Sequence, residues 1–418
     1  MIPILYGDEA LNFKPIHDEA NESEIENRVK EIIASVRKDK DQALKNWAKK
    51  LNDKVTDNWL LGLESIDAAC MRLPQESKDV LEIAANRIQK YASAVMSLIK
   101  PVTVDNETFQ TGMDFKPVQR VACYVPSGRY PLPSTALMTA MTARVAGVKE
   151  ICICTPSVCD EIIYAATLCG VSEIYQIGGA QAAAAVAFGT ESVKRADMLV
   201  GPGNAYVTEA KRQLQGQIGI DMLAGPSEIA IIADCGAKPK WLALDLLSQA
   251  EHDPGARAYL FTDNKDIAEA TAKEITANLD TLDLPDFVRD SVKYNAILVL
   301  PSLSKCVDKA NELAPEHLQL QVKDPESLKS GLLNYGALFM GYYATVPHGD
   351  YMSGPNHTLP TGGAARYSGA LNPLVFLRAQ SWMKSSDKAD HLGRETAQFA
   401  RLEGLTAHAA AAECRIGN

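Results

Sequence analysis

At 418 residues, with 46% hydrophobic and 22% charged side chains, the chain has ordinary globular composition and length for two or three domains. A formal charge of −10 argues against nucleic acid or an anionic membrane as partner, because both select basic patches, and leaves small metabolites as the expected ligands. Nine cysteines without a Cys-x-x-Cys pair make neither a disulfide framework nor a zinc knuckle, and the start of the chain lacks the cationic and apolar regions of a signal peptide. No apolar run approaches the roughly 18 residues of a membrane span. A soluble, cytoplasmic protein is therefore expected.

An opening arm (1–20) precedes amphipathic helical patterns at 23–51 and 76–99. From Val121 onward, strands alternate with helices: strands at 121–125, 150–154, 173–177, 198–200 and 228–233, and helices beginning near Ser134, Asp160, Ala180 and Ala205. In the first of these series Cys152 and Cys154 alternate with Ile151 and Ile153, as on one face of a buried strand. A second series has helices at 241–252, 265–279 and 303–313 and strands at 258–262, 296–300, 318–322 and 337–340. Such alternation means βαβ units, so an α/β chain with two parallel sheets is predicted, its doubled series consistent with an old duplication. Beyond Asn372 the pattern reads as helical.

Residues 218–255 join a buried strand, a turn and a helix that carries Gln249 and His252 three residues apart, hence on one face. An amide oxygen and an imidazole so placed can form half of a zinc site, or can simply be a solvated or capping pair. No Gly-x-Gly-x-x-Gly dinucleotide fingerprint is present, since Tyr206 stands where Gly201-Pro202-Gly203-Asn204 would need its third glycine. Three turns are nevertheless rich in small or amide residues: Ser127-Gly128, Gly178-Gly179-Ala180-Gln181 and Gly201-Pro202-Gly203-Asn204. Each can offer backbone N–H groups to a pyrophosphate, or merely close a tight turn.

Glu316-His317 follows Ala314-Pro315 at the end of a helix. Adjacent side chains can face one pocket only if the chain changes direction there, which a strand at 318–322 supplies; His then suits proton transfer and Glu the activation of water. The run from His348 to His357 combines Asp350, Asn356 and His357 with Gly and Pro, as in a structured turn with possible metal or substrate donors. Glu403 and His408 lie five apart near the end of the chain.

Taken in order, these motifs resemble the histidinol dehydrogenase family from about residue 25 to Arg415. The resemblance implies two Rossmann-like parallel-sheet domains without the usual fingerprint, a small N-terminal arm and a helical C-terminal tail. The expected division is 1–20 for the arm, 21–123 with 231–371 for a first α/β domain, 124–230 for an NAD-binding domain, and 372–418 for the tail. It further implies NAD contacts at Tyr124, Gln181 and Asn204, and one zinc per subunit on Gln249, His252, Asp350 and His408. Glu316 and His317 match the acid–base pair, and Ser134, Ser227, His357 and Glu403 match substrate contacts, with the zinc ligands and the acid–base pair also around the substrate. The activity implied is oxidation of L-histidinol via L-histidinal to L-histidine by a homodimer whose tails cross between subunits.

Ser127-Gly128 stands where the family commonly has Gly-Gly, His348 precedes Gly349-Asp350, and Ala364-Ala365-Arg366-Tyr367 drifts from the usual pattern. Relatives that oxidise other small polar alcohols, such as sulfonated propanediols, are therefore the alternative. Retention of Ser227-Glu228 and of Leu405-Thr406-Ala407 before His408 favours histidinol. A non-catalytic α/β metabolite-binding protein is the rival from another class, and the intact Glu316-His317 pair speaks against it.

Overall fold

The computed structural model describes residues 2–15, 22–51, 53–127, 130–386 and 389–417. In chain order its strands are β1 (Ile4–Tyr6), β2 (Val102–Asp105), β3 (Phe109–Pro117), β4 (Arg120–Tyr124), β5 (Glu150–Thr155), β6 (Glu173–Gln176) and β7 (Met198–Val200). They continue with β8 (Gly219–Ile220), β9 (Glu228–Ala233), β10 (Arg257–Thr262), β11 (Ala296–Val299), β12 (His317–Gln321), β13 (Ala337–Met340) and β14 (Leu377–Ser385).

Two sheets are parallel throughout, β6-β5-β4-β7-β8 and β1-β11-β10-β9-β12-β13, and a third, β14-β3-β2, is antiparallel. Both parallel sheets run 3-2-1-4-5, with β1 added at one edge of the larger, so the expected α/β class is formed as one topology used twice. In each, strand order reverses between the first and fourth strands: β4 and β7 in one, β9 and β12 in the other.

The sequence of β9, Glu-Ile-Ala-Ile-Ile-Ala, is buried along its whole length, because helices cover both faces of the sheet and leave no solvent face to alternate toward. Along β5, Cys152 and Cys154 enter one core and Ile153 the other, as their alternation anticipates. The helix Gly179–Phe188 is buried from Ala180 to Ala187, and its small side chains let a second layer approach. That layer is the helical segment Glu22–Leu51, kinked at Lys40, which places Val29, Ile32, Val36, Leu44 and Trp47 in the same core.

This packing differs from the expected grouping of 21–123 with 231–371. The helix Gln75–Met96 likewise joins the core of the five-stranded sheet through Ala84, Ala85 and Ile88, and β4 belongs to that sheet, so a boundary at residue 123 cuts a strand. An amphipathic pattern specifies an apolar face but not which sheet receives it.

Residues expected only as an arm supply β1, which pairs with β11. The tail, expected to be helical from Asn372, makes only the short 3-10 turn Pro373–Phe376 before the nine-residue β14 against β3, and then the helices Asp390–Leu402 and Thr406–Glu413. Those helices pack on each other through Ala397, Ala400 and Ala409. β2 and β14 are largely exposed, so neither carries the buried apolar alternation that marks a strand in sequence. Among the described residues no helix is long and apolar enough to cross a membrane.

Candidate active site

The helix Leu303–Leu313 ends with Ala314 in the left-handed region (φ +53°), and Pro315 prevents its continuation. The chain turns there, Glu316 follows, and β12 begins at His317, which is the change of direction that two adjacent inward side chains require. Gly336 lies so close to Glu316 that a Cβ would sit 2.5 Å from the Glu316 carbonyl oxygen. Arg366, within the drifting Ala364–Arg366 turn, donates to the carbonyls of Gly363 and Glu312 and so braces the approach to this corner.

Glu316 and His317 are both buried, with side chains 6% and 5% exposed. The Glu228 amide donates to Glu316 Oε2 (2.9 Å), and His317 Nδ1 lies 3.1 Å from the Glu228 carbonyl oxygen and 3.4 Å from Glu316 Oε2. A carbonyl only accepts, so Nδ1 carries a hydrogen directed at Glu228. His317 Nε2 has no hydrogen-bond partner and faces Asp350 Oδ1 at 3.8 Å. Burial opposes a charge on this imidazole, but the Glu316 and Asp350 carboxylates overcome it and push its pKa up to about 10.

Asp350 lies on the turn His348–Met352. Burial works against its ionisation, yet the nearby imidazoles of His317, His357 and His252 hold it below the ordinary carboxylate range. His357 is fixed at both nitrogens, Nδ1 to the Asp350 carbonyl (3.0 Å) and Nε2 to Thr135 Oγ1 (3.3 Å), and burial lowers its pKa. Thr135 follows the half-buried Ser134 in the short helix Pro133–Ala136, which brings that helix to the same site. His317, Asp350 and His357 share a cavity of about 730 Å³ with His348 and Phe339, a volume suited to a small metabolite. His348 is exposed on the rim, and its field reaches the buried Asp245, which accepts from Gln319 and Thr345.

The helix Pro239–Ala250 ends just after Gln249, so His252 sits in the following turn rather than on a continuing helical face. Gln249 is buried with its side-chain nitrogen unpartnered, whereas His252 is exposed and close enough to Asp350 to act on it. Among the described residues no three His, Cys, Asp or Glu side chains are gathered to hold a metal ion. His408 and Glu403 are exposed on the tail hairpin, Glu403 just beyond one helix and His408 within the next, instead of on one helix. Of the four residues expected to hold zinc, Gln249 is a buried amide, His252 an exposed imidazole, Asp350 a carboxylate in the cavity, and His408 an imidazole on the exposed tail. Ser227 lies immediately before β9, half-buried, with its carbonyl accepting from the Arg257 amide.

The residues expected to meet NAD lie at the carboxyl edge of the five-stranded sheet, around the reversal between β4 and β7 where doubly wound sheets take their ligands. The buried Tyr124 hydroxyl accepts from the Gly179 amide (3.0 Å). The Gln181 carboxamide folds over Gly179 (φ +68°), where a Cβ would meet Gln181 Oε1 at 2.6 Å. Asn204 caps the helix Ala205–Leu214, its Oδ1 accepting from the Tyr206 and Val207 amides. Ser127 bonds Thr155 and the Ser157 carbonyl, while Gly128 and Arg129 lie outside the described residues.

The sequence reading gave no role in the site to Thr135, and used Glu228 only as part of the Ser227-Glu228 motif. Glu228 holds both Glu316 and His317 through its main chain, accepts the Gly362 amide on its side chain, and has its pKa pushed up to about 7 by burial and by Glu316. A single charged residue opening a wholly apolar strand was the available signal.

The match to the histidinol dehydrogenase family model spans residues 16–416. The histidinol dehydrogenase of Zymomonas mobilis is 41% identical over 420 aligned residues, covering 98% of this chain and 97% of the relative. That of Methanopyrus kandleri is 42% identical over 363 residues, 84% of each chain. The crystal structure of histidinol dehydrogenase from Elizabethkingia anophelis superposes with a TM-score of 0.92 at 32% identity, covering 99% of this chain and 98% of that one. With a family match along nearly its whole length and a common fold, the chain belongs to the histidinol dehydrogenase family.

Proposed function

We propose that this protein oxidises L-histidinol through L-histidinal to L-histidine, the last step of histidine synthesis, with zinc and NAD. The observation that carries the reading is the buried Glu316–His317 pair, whose His317 shares a metabolite-sized cavity with Asp350 and His357, in a chain of this family.

Converting an alcohol to a carboxylate removes two hydrides and adds one water, so the balance is alcohol, water and two NAD⁺ to carboxylate, two NADH and three protons. His317 receives the hydroxyl proton on Nε2, the nitrogen left free by the bond from Nδ1 to Glu228. In its present surroundings the two carboxylates hold that nitrogen protonated, so the reading requires part of their field to be neutralised, and Asp350 is one of its two sources. Glu316, oriented by the Glu228 amide, takes a proton from water as that water attacks the aldehyde, and the hydrate then loses the second hydride. His357, locked between Asp350 and Thr135, with Ser134, Ser227 and the partner subunit's Glu403, orients the substrate.

Gln249, His252 and Asp350 of one protomer, with the partner subunit's His408, would hold one zinc per subunit. Nitrogen and oxygen donors suit that ion, and the buried Gln249 carboxamide, whose nitrogen end has no hydrogen-bond partner to hold it, is free to turn its oxygen end toward a cation. When bound, zinc supplies a fixed positive charge and a docking point for substrate nitrogens. Tyr124, Gln181 and Asn204 would hold NAD, which supplies the hydride acceptor. The exposed tail supports the reading of a homodimer, since Glu403 and His408 are not among the residues that line the cavity of their own chain.

NADH absorbance tests the reading. Histidinol should yield two NADH per molecule consumed, and a sulfonated propanediol none. Turnover of the sulfonate in place of histidinol would move the protein to the alternative substrate class, and no NADH from either would refute the proposal.

A further inference from the structure

The segment from β8 to β9 is the connection from the edge of one parallel sheet to the centre of the other, and it begins at an ion pair sealed from solvent. Lys211 Nζ lies 2.6 Å from Asp221 Oδ1, with side chains 3% and 0% exposed. Asp221 Oδ2 accepts the Gly201 amide (2.7 Å) and Oδ1 accepts the Met222 amide (2.7 Å). The Lys211 ammonium also donates to the carbonyls of Gly201 (2.5 Å) and Met222 (3.5 Å). Gly201 thus has both of its main-chain polar groups held by the same buried pair. It is also the residue that no other could replace, since at φ +108° a Cβ would sit 2.3 Å from the Tyr124 carbonyl oxygen.

A buried ion pair is a poor source of net stability, because desolvating two charges offsets their attraction. Here every ammonium hydrogen has an acceptor and both carboxylate oxygens are used, so what the pair supplies is a fixed geometry. One helical turn earlier, on the same face, Thr208 Oγ1 donates to the Ala224 carbonyl (2.6 Å). The helix Ala205–Leu214 therefore grips the Gly201–Asn204 turn at its start and, along one face, the segment that continues into Ser227 and Glu228.

We propose that Lys211 and Asp221 are positioning residues that set the 201–204 turn for the dinucleotide and fix it relative to the segment carrying Ser227 and Glu228. This rests on the reading of that turn as part of the NAD site. Neither residue touches the reacting atoms; they act through Gly201 and Met222.

The test compares Lys211→Met and Asp221→Asn with the wild type and with Val288→Ala, a buried truncation on a helix of the other sheet that controls for lost stability. The two positioning variants should raise the KM for NAD and the Kd for NADH by about tenfold or more, while kcat at saturating NAD falls much less and the KM for histidinol, felt only through Ser227, rises by a smaller factor. Val288→Ala should lower the Tm and leave the KM for NAD unchanged. Should either variant fail to fold, Lys211→Gln and Asp221→Glu carry the same comparison, with hydrogen exchange of the 200–206 peptide as a second readout. Lost Tm with wild-type KM for NAD and wild-type protection of that peptide would overturn the inference. Failure of the wild type itself to bind NADH would instead overturn the cofactor reading, and this inference with it.

Discussion

Glu228 and Glu316 interlock across β9 and β12. The amide of Glu228 donates to the carboxylate of Glu316 at 2.9 Å, and the Glu228 carboxylate is favoured in turn by the amides of Gly362, Glu316 and Gly363. Two buried carboxyl groups so close cannot both ionise cheaply. Glu228 accommodates this by holding its proton up to about pH 7.

The pH dependence of stability follows from that shift. A carboxyl group whose folded pKa is raised from 4.5 to about 7 leaves the native state binding more protons than the unfolded state across this window, so stability falls as pH rises through it. Glu228→Gln is neutral at every pH and should flatten the fall. Urea midpoints at about pH 5 and about pH 8 measure it. Equal pH slopes for the two proteins would remove Glu228 as the cause.

His317→Asn and Glu316→Gln should separate the two oxidations. Loss of an acid–base group costs roughly 100- to 10,000-fold, and the Glu316 change should slow histidinal oxidation more than the first hydride transfer seen in a single turnover. If both substitutions impair both steps equally, the roles assigned to the pair are wrong.

Metal removal should abolish turnover, and zinc should restore it. Gln249→Ala should weaken zinc retention without unfolding the protein, read by elemental analysis after dialysis as well as by activity, since the buried carboxamide it deletes has no hydrogen-bond partner on its nitrogen to lose. Full activity in a sample shown by elemental analysis to be metal-free would eliminate zinc from the mechanism.

Mixing Asp350→Ala and His408→Ala subunits should restore activity. If the tail completes a partner's site, a heterodimer holds one doubly damaged site and one intact site. Co-expression with two tags isolates that heterodimer. Should it stay as inactive as its parents, the tail serves its own subunit.

Local pattern alone determined much of this protein. Alternation of apolar runs with helical periods announced two parallel sheets, because a strand covered on both faces must be apolar throughout. The strand pattern at 318–322 announced a change of direction at Glu316-His317, and in the structure Pro315 enforces it, because proline cannot continue the helix it follows. What periodicity could not convey was partnership between distant segments. The helix Glu22–Leu51 shows an apolar stripe, but only the alanine surface of Gly179–Phe188 decides that it covers the five-stranded sheet. Glu228 meets Glu316 from 88 residues away, and Thr135 meets His357 from 222. Those contacts depend on which strands lie side by side, and strand order is settled by packing the whole chain so that each buried polar group finds a partner, a condition that no short stretch of sequence can express.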